Sequence, residues 1–193
     1  MRYCLLVLLF IPFLSKAQTG YEDSVTAFLK KYVAEHEVVT GADKEKMKFY
    51  LVNKEYRITA AFELKENSPW FWMNTSGKEK KQYRVFGVLR FQLHDTAITL
   101  QVYQSRNLMS SDKYKDYLFI PFTDKTSGIE TYGGGRYIDL VLKDIINNTY
   151  TIDFNKAYNP YCAYTAGYNC PIPPQENDLP VAIKAGELNF MKH

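Results

Sequence analysis

The chain has 193 residues, a formal net charge of +3, three cysteines and three histidines. That length suits one domain and can bury a sizeable core without staples. The near-neutral charge excludes the electrostatic footprint of a nucleic-acid binder.

The first residues read as a targeting segment. Met1-Arg2-Tyr3 is a short positive start, Cys4 to Leu14 is an apolar run broken by Pro12, and Ser15-Lys16-Ala17 places small residues at the two positions a signal peptidase reads. The run is too short to span a bilayer, and no later run is apolar enough to do so. Residues 1–17 are therefore expected to be a signal peptide, cut after Ala17. The mature chain 18–193 is expected as a single β-rich domain, secreted or periplasmic. The cut removes Arg2 and Lys16 and no acidic residue, so the net charge falls from +3 to +1.

Val25, Phe28, Leu29, Tyr32 and Val33 recur at helical spacing, with Asp23 or Ser24 as a cap. Thr40 and Asp43 have capping-box spacing and predict a second, shorter helix. After Tyr50 the period becomes two. Tyr56 to Leu64, Tyr83 to Leu93 and Ile98 to Val102 alternate apolar and polar, and His94-Asp95 predicts a hairpin between the last two. Shorter strands are predicted at Tyr117–Phe122, Tyr137–Leu142 and Thr149–Phe154, with a last one near Val181–Lys184. The pattern predicts a mainly β fold, an antiparallel β-barrel or sandwich with an N-terminal helix packed on it.

Residues 155–180 have no period. Such a long loop is functional or disordered in most compact domains. Here Tyr158, Tyr161, Tyr164 and Tyr168 provide apolar area, and Pro160, Pro171, Pro173, Pro174 and Pro180 stiffen the chain. An ordered wall over the sheet is predicted.

Three ordered stretches carry a family likeness: "FTDKTSGIETYGGGRYIDL" (Phe122 to Leu140), "DFNKAYNPYCAY" (Asp153 to Tyr164) and "CPIPPQENDLPVAIKAGE" (Cys170 to Glu187). With the upstream "YRVFGVLRFQL" and its G-x-x-x-F strand, they resemble the bacterial domain of unknown function sixteen eighty-four. The resemblance covers most of the mature chain and implies no established reaction, so chemistry rests on the residues.

Seven residues lie between Cys162 and Cys170. In an oxidising compartment the default is a disulfide, whose loop closure contributes roughly 2–3 kcal/mol. The rivals are a metal pair, which lacks two further soft ligands nearby, and a reactive thiol, whose only local bases are carboxylates. Neither a metal nor a cofactor is expected. The three glycines before Arg136 suit a turn with positive φ entering a strand better than a phosphate cradle, which runs from strand into helix. Arg136 can clamp a carboxylate, that of a ligand or of Asp139, Asp153 or Glu176. Asp153 and Asn155 share one strand face, Asn159 can cap its own turn, and Glu176 and Asn177 follow a Pro-Pro brace. The candidate ligand contacts are Arg136, Asp139, Asp153, Asn155, Tyr158, Asn159, Glu176 and Asn177.

Trp70 and Trp72 share a strand face, which stacks on a sugar if exposed and joins the core if buried. No G-x-S-x-G or H-E-x-x-H occurs, and no histidine lies in the three stretches. Three readings follow. The first is a domain binding a small-molecule ligand in a pocket walled by residues 155–180. The second is a hydrolase-like enzyme using carboxylates in the same pocket. The third is an envelope structural protein with no ligand.

Overall fold

Period-two alternation sorts each strand's side chains onto two faces, and both faces of this sheet are used. The computed structural model describes residues 15–190, with side chains from residue 20 onward. The expected signal peptide lies, through residue 14, outside the described residues. The first helix α1 (Ser15–Glu35) precedes seven strands: β1 (Arg57–Leu64), β2 (Phe71–Met73), β3 (Lys81–Leu93), β4 (Thr96–Ser105), β5 (Tyr117–Phe122), β6 (Arg136–Val141) and β7 (Thr149–Asp153). All pairings between strands are antiparallel. The order across the sheet is β6-β5-β4-β3-β1-β7, with β2 added beside the start of β3. The sheet curls into a half-barrel, so the fold is mainly β with an N-terminal helix, as the alternation predicts.

The main core lies on one face. It gathers Ala60 and Phe62 of β1, Leu89 and Phe91 of β3, Leu118, Ile120 and Phe122 of β5, Ile138 and Leu140 of β6, and Ile152 of β7. Leu179, Ile183 and Ala185 of the C-terminal segment close over it. A methyl group at Gly87 would lie 2.3 Å from the Phe62 ring. The glycine of the G-x-x-x-F strand is therefore needed for close approach, beside the register shift between Val85 and Gly87. The opposite face carries a second cluster, Met73, Tyr83, Tyr103, Phe119 and Tyr137.

Arg136 is the largest fully buried side chain. Alternation places it with Ile138 and Leu140, on the core face. Its Nη2 donates to Asp124 Oδ2 at 2.8 Å and to the Ile183 carbonyl at 3.0 Å, and its Nη1 donates to the Ala185 carbonyl. The Phe122 ring lies 5.2 Å from the guanidinium. Asp124 Oδ1 in turn accepts from Thr126 N at 2.8 Å, Thr126 Oγ1 at 2.6 Å and Ile183 N at 3.1 Å. The internal carboxylate is therefore Asp124, not Asp139, Asp153 or Glu176. The expected strand near Val181–Lys184 does not form. At Ile183 the Asp124 carboxylate and the Arg136 fork satisfy the backbone N–H and C=O that a ladder would have used.

Other expectations are adjusted by long-range contacts. Among the described residues, helix α1 already runs from Ser15, ahead of the expected cap at Asp23 or Ser24. Its early turns are held from outside, since Tyr21 donates to Asp153 Oδ1 at 2.8 Å and lies under Arg57. The helix predicted at Thr40 is a 3₁₀ turn, Gly41–Lys46, without a side-chain cap. Gly41 has φ +57°, which breaks an α-helix at its first residue. The β3–β4 hairpin turns at His94-Asp95 as predicted, with Leu93 opposite Thr96. Of the three glycines before Arg136, only Gly135 has positive φ, at +85°. A methyl there would also meet the Phe122 carbonyl oxygen at 2.6 Å.

The Arg136 cluster generates a stability prediction. Arg136→Lys keeps the charge but cannot hold Asp124 and two carbonyls at once. It should destabilise the protein by about 1.5–3 kcal/mol, the range for losing a hydrogen bond to a charged group. Urea or thermal melts check this, and melting equal to wild type would show that the fork carries no weight.

Candidate functional site

The second face of β5 and β6 forms the floor of a cleft of about 1020 Å³. Phe119 pairs with Asp139 across the two strands. Alternation places Tyr117, Phe119, Tyr137 and Asp139 on this face, opposite Arg136 and Ile138. Helix α1 contributes Phe28 and Tyr32 to one side. The Tyr/Pro segment contributes Tyr158, Tyr161 and Pro171 to the other.

The wall is ordered, as predicted, and it is tied down at both ends. Tyr158 exchanges backbone hydrogen bonds with Tyr137, 2.9 and 3.0 Å, and so covers the free edge of β6. Ser76 N donates to the Cys170 carbonyl and Ile172 N to the Asn74 carbonyl, each at 2.9 Å. Cys162 and Cys170 are joined in a disulfide with a Cα–Cα distance of 6.3 Å. The bridge closes the part of the wall between these attachments, and neither thiol is left for a metal or for nucleophilic chemistry.

Asp139 is the centre of the cleft. Tyr117 and Tyr158 both donate to its Oδ1 at 2.7 Å. Among the described residues, no hydrogen bond reaches Oδ2 and no lysine or arginine forms an ion pair with the carboxylate. Solvent touches Asp139 through the mouth of the cleft, while protein crowds it on the remaining sides. That crowding raises its pKa above the ordinary 3.8, opposed by the two tyrosine hydrogen bonds. Burial, and then the charge of Asp139, push the Tyr117 and Tyr158 hydroxyls well above 10, so both remain donors. Around the carboxylate the rings stand edge to face: Phe119 and Tyr137 at 5.5 Å, Tyr137 and Tyr158 at 5.9 Å.

The other predicted contacts separate into rim and scaffold. Asp153 lines the cleft, but its Oδ1 is occupied by Tyr21 and Asn155. Asn155 is buried. Its side chain accepts from Asn53 N at 2.9 Å and donates to the Asn53 carbonyl at 2.8 Å and to Tyr21 Oη at 3.0 Å, tying α1 and the β1 entry to β7. Asn159 is buried and donates to the Leu188 carbonyl at 2.8 Å. Asn177 bridges Gln101 N and O and the Pro121 carbonyl, at 2.7 to 2.9 Å. Glu176 stands exposed on the turn Gln175–Asn177 and does not line the cleft. Arg136 points away from it, into the core. Of the eight candidates, the structure brings Asp139 and Tyr158 together, with Asp153 at the edge. The tryptophans stand elsewhere and outside the core. Trp72 is exposed, and Trp70 is half-buried with Arg84 and Arg106 over its ring at 5.3 and 5.6 Å.

One further buried carboxylate went unnoticed in the sequence. Glu187 accepts from Tyr164 Oη at 2.6 Å, from Asn159 N at 2.9 Å and from Tyr32 Oη at 3.5 Å. Tyr32 also lines the cleft, so this cluster joins α1, the wall and the C-terminal segment. His36, just beyond α1, packs against Tyr164 at 4.7 Å and accepts from Val39 N through Nδ1 at 2.9 Å. Burial lowers its pKa below 6.5, which favours the neutral ring. No group of three or more metal-ligating side chains with metal-site geometry occurs among the described residues.

Half-barrel and cleft together define a small β-rich protein whose aromatic cleft is walled by a cystine-bridged segment. The family model described as protein of unknown function (DUF1684) matches residues 43–188, and the chain belongs to that family. It is similar to the solution NMR structure of the uncharacterized protein from gene locus rrnAC0354 of Haloarcula marismortui. The two share 26% identity with a TM-score of 0.69, and the match covers 93% of this chain and 100% of that one. A comparison with curated proteins finds no match.

Glu187 gives the fold a distinct pH signature. Burial raises its pKa to about 7 from an ordinary 4.5. The folded protein therefore keeps a proton that the unfolded chain releases between these values. The contribution is full below pH 4.5, is lost as pH rises to about 7 and is on the order of a few kcal/mol. The Tm of wild type minus that of Glu187→Gln should fall from pH 5 to pH 8, since only the carboxyl titrates. A difference that stays constant over this range would exclude the raised pKa.

Proposed function

We propose that this protein binds a small molecule in the aromatic cleft above β5 and β6. The observation that carries the reading is Asp139, a carboxylate with one oxygen held by two tyrosines and the other facing no protein donor, on the floor of a solvent-reached cleft. Unlike the buried Asp124, Asp139 is exposed within the cleft, so its free oxygen is open to a molecule that enters. The size and aromatic lining of the cleft suit a drug-sized ligand, and a few convergent polar groups are what such sites use for orientation.

A carboxylate-pair hydrolase receives less support. The pKa of Asp139 is moved by burial and by two tyrosines, with no second carboxylate acting on it. A purely structural role leaves the open cleft and the free carboxylate oxygen without a purpose.

The protein purified natively from its host should carry a small molecule that denaturation releases for mass spectrometry. Asp139→Asn should lower its affinity by roughly tenfold or more, the loss of a charged hydrogen bond. If native preparations release nothing and Asp139→Asn changes no retained species, the binding reading fails.

Secretion belongs to the same proposal. It is supported by the charged-apolar-small pattern of residues 1–17 and by a cystine in a chain long enough to fold without one. The expected cut after Ala17 falls before the anchored Tyr21. Intact mass spectrometry of exported protein should give a chain starting at Gln18 and lighter by the two hydrogens of one disulfide. A full-length chain retained in the cytoplasm would contradict this.

A further inference from the structure

We propose that the cleft selects an organic cation, a protonated amine carried on an apolar or aromatic body, with Asp139 Oδ2 as its acceptor. This inference rests on the binding reading and adds the chemistry of the ligand.

Three observations converge on a cation. Asp139 has no positive partner among the described residues, although elsewhere in the chain the buried Asp124 has Arg136 at 2.8 Å and Glu130 has Lys184 at 3.2 Å. The hydroxyls of Tyr117 and Tyr158 both donate to Oδ1, so Oδ2 remains an acceptor without a donor. An ammonium group supplies both the charge and the N–H that this oxygen lacks, and such a bond is stronger than one between neutral groups. An anion would meet repulsion there, and a neutral group would leave the charge uncompensated.

The surroundings favour the same sign. The cleft is lined by five carboxylates and three lysines, and burial lowers the pKa of His36 beside them. One of the lysines, Lys156, already lies over the Phe28 ring at 5.0 Å, away from the floor. Phe119, Tyr137 and Tyr158 surround the carboxylate with rings, and the faces of such rings attract cations. Their apolar area also accommodates the hydrocarbon body of an amine. A bound cation would offset the burial that raises the pKa of Asp139.

Three probes of nearly equal shape separate charge from shape: benzylamine, benzyl alcohol and benzoate. Each is titrated into the full mature protein, and backbone amide shifts of Asp139 and Tyr158 are followed by NMR. Benzylamine should bind saturably and roughly tenfold or more tighter than benzyl alcohol, and benzoate weakest. Asp139→Asn should remove the preference for benzylamine while leaving the benzyl alcohol affinity within a factor of about two, since the ring contacts remain. Equal binding of all three probes, or a preference for benzoate, overturns the cation assignment and leaves the binding reading standing. Shifts confined to residues outside the cleft overturn the assignment, and absence of any retained molecule in native preparations then removes the binding reading with it. The selectivity of the wild-type protein is decisive even if Asp139→Asn does not fold.

Discussion

The architecture depends on a guanidinium buried where no water can reach it. The Nη donors of Arg136 are satisfied inside the core, and the groups that satisfy them come from two distant stretches: the Asp124 turn and the backbone of Ile183 and Ala185. The C-terminal segment thus lies over the core as irregular chain, its backbone bonded to side chains. Breaking such a cluster leaves an uncompensated charge, and the penalty for that is large. The cluster also reaches Glu187, whose carbonyl accepts from Arg136 Nη1 at 3.5 Å and whose carboxylate is met by Tyr32 and Tyr164.

Because strand side chains alternate, the inward turn of Arg136 fixes the outward turn of its neighbours. Tyr137 and Asp139 must then face the other way, toward the cleft. The buried ion pair and the carboxylate of the cleft thus share one six-residue strand and are separated only by the pleat. The motif that marks the family combines both kinds of residue, which is why its polar positions cannot be assigned to a site from their spacing alone. Asp139 and Arg136 are three apart in sequence and act on opposite faces of the sheet.

The wall shows the same division. Its backbone pairs with β6 at Tyr158 and with the segment after β2 near Cys170, and the disulfide closes the chain between them. The side-chain N–H groups of its buried amides, Asn159 and Asn177, donate to backbone carbonyls. What it presents to the cleft is mainly aromatic, with Tyr158 reaching the carboxylate on the floor. A wall of this construction is rigid where it is bonded, so the cleft is preformed, which lowers the cost of binding.

The sequence by itself determined the local order. Period-two runs located the main strands, with Tyr117–Phe122 placed at its observed bounds. The tyrosines and prolines of residues 155–180 foretold an ordered wall, and the cysteine spacing its bridge. These features are legible because they arise from steric and hydrophobic periods within a few residues of chain. Only the tertiary structure decided which face met which partner. Asp124 rather than Asp139 or Glu176 pairs with Arg136. Glu176 remains in solvent, and Glu187 reaches Tyr32, which lies 155 positions away along the chain. A carboxylate's sequence neighbours say nothing about whether folding brings it an arginine, two tyrosines or an open cleft. That choice is made by packing between distant segments, where each buried polar group must find its partner among those the whole fold brings near.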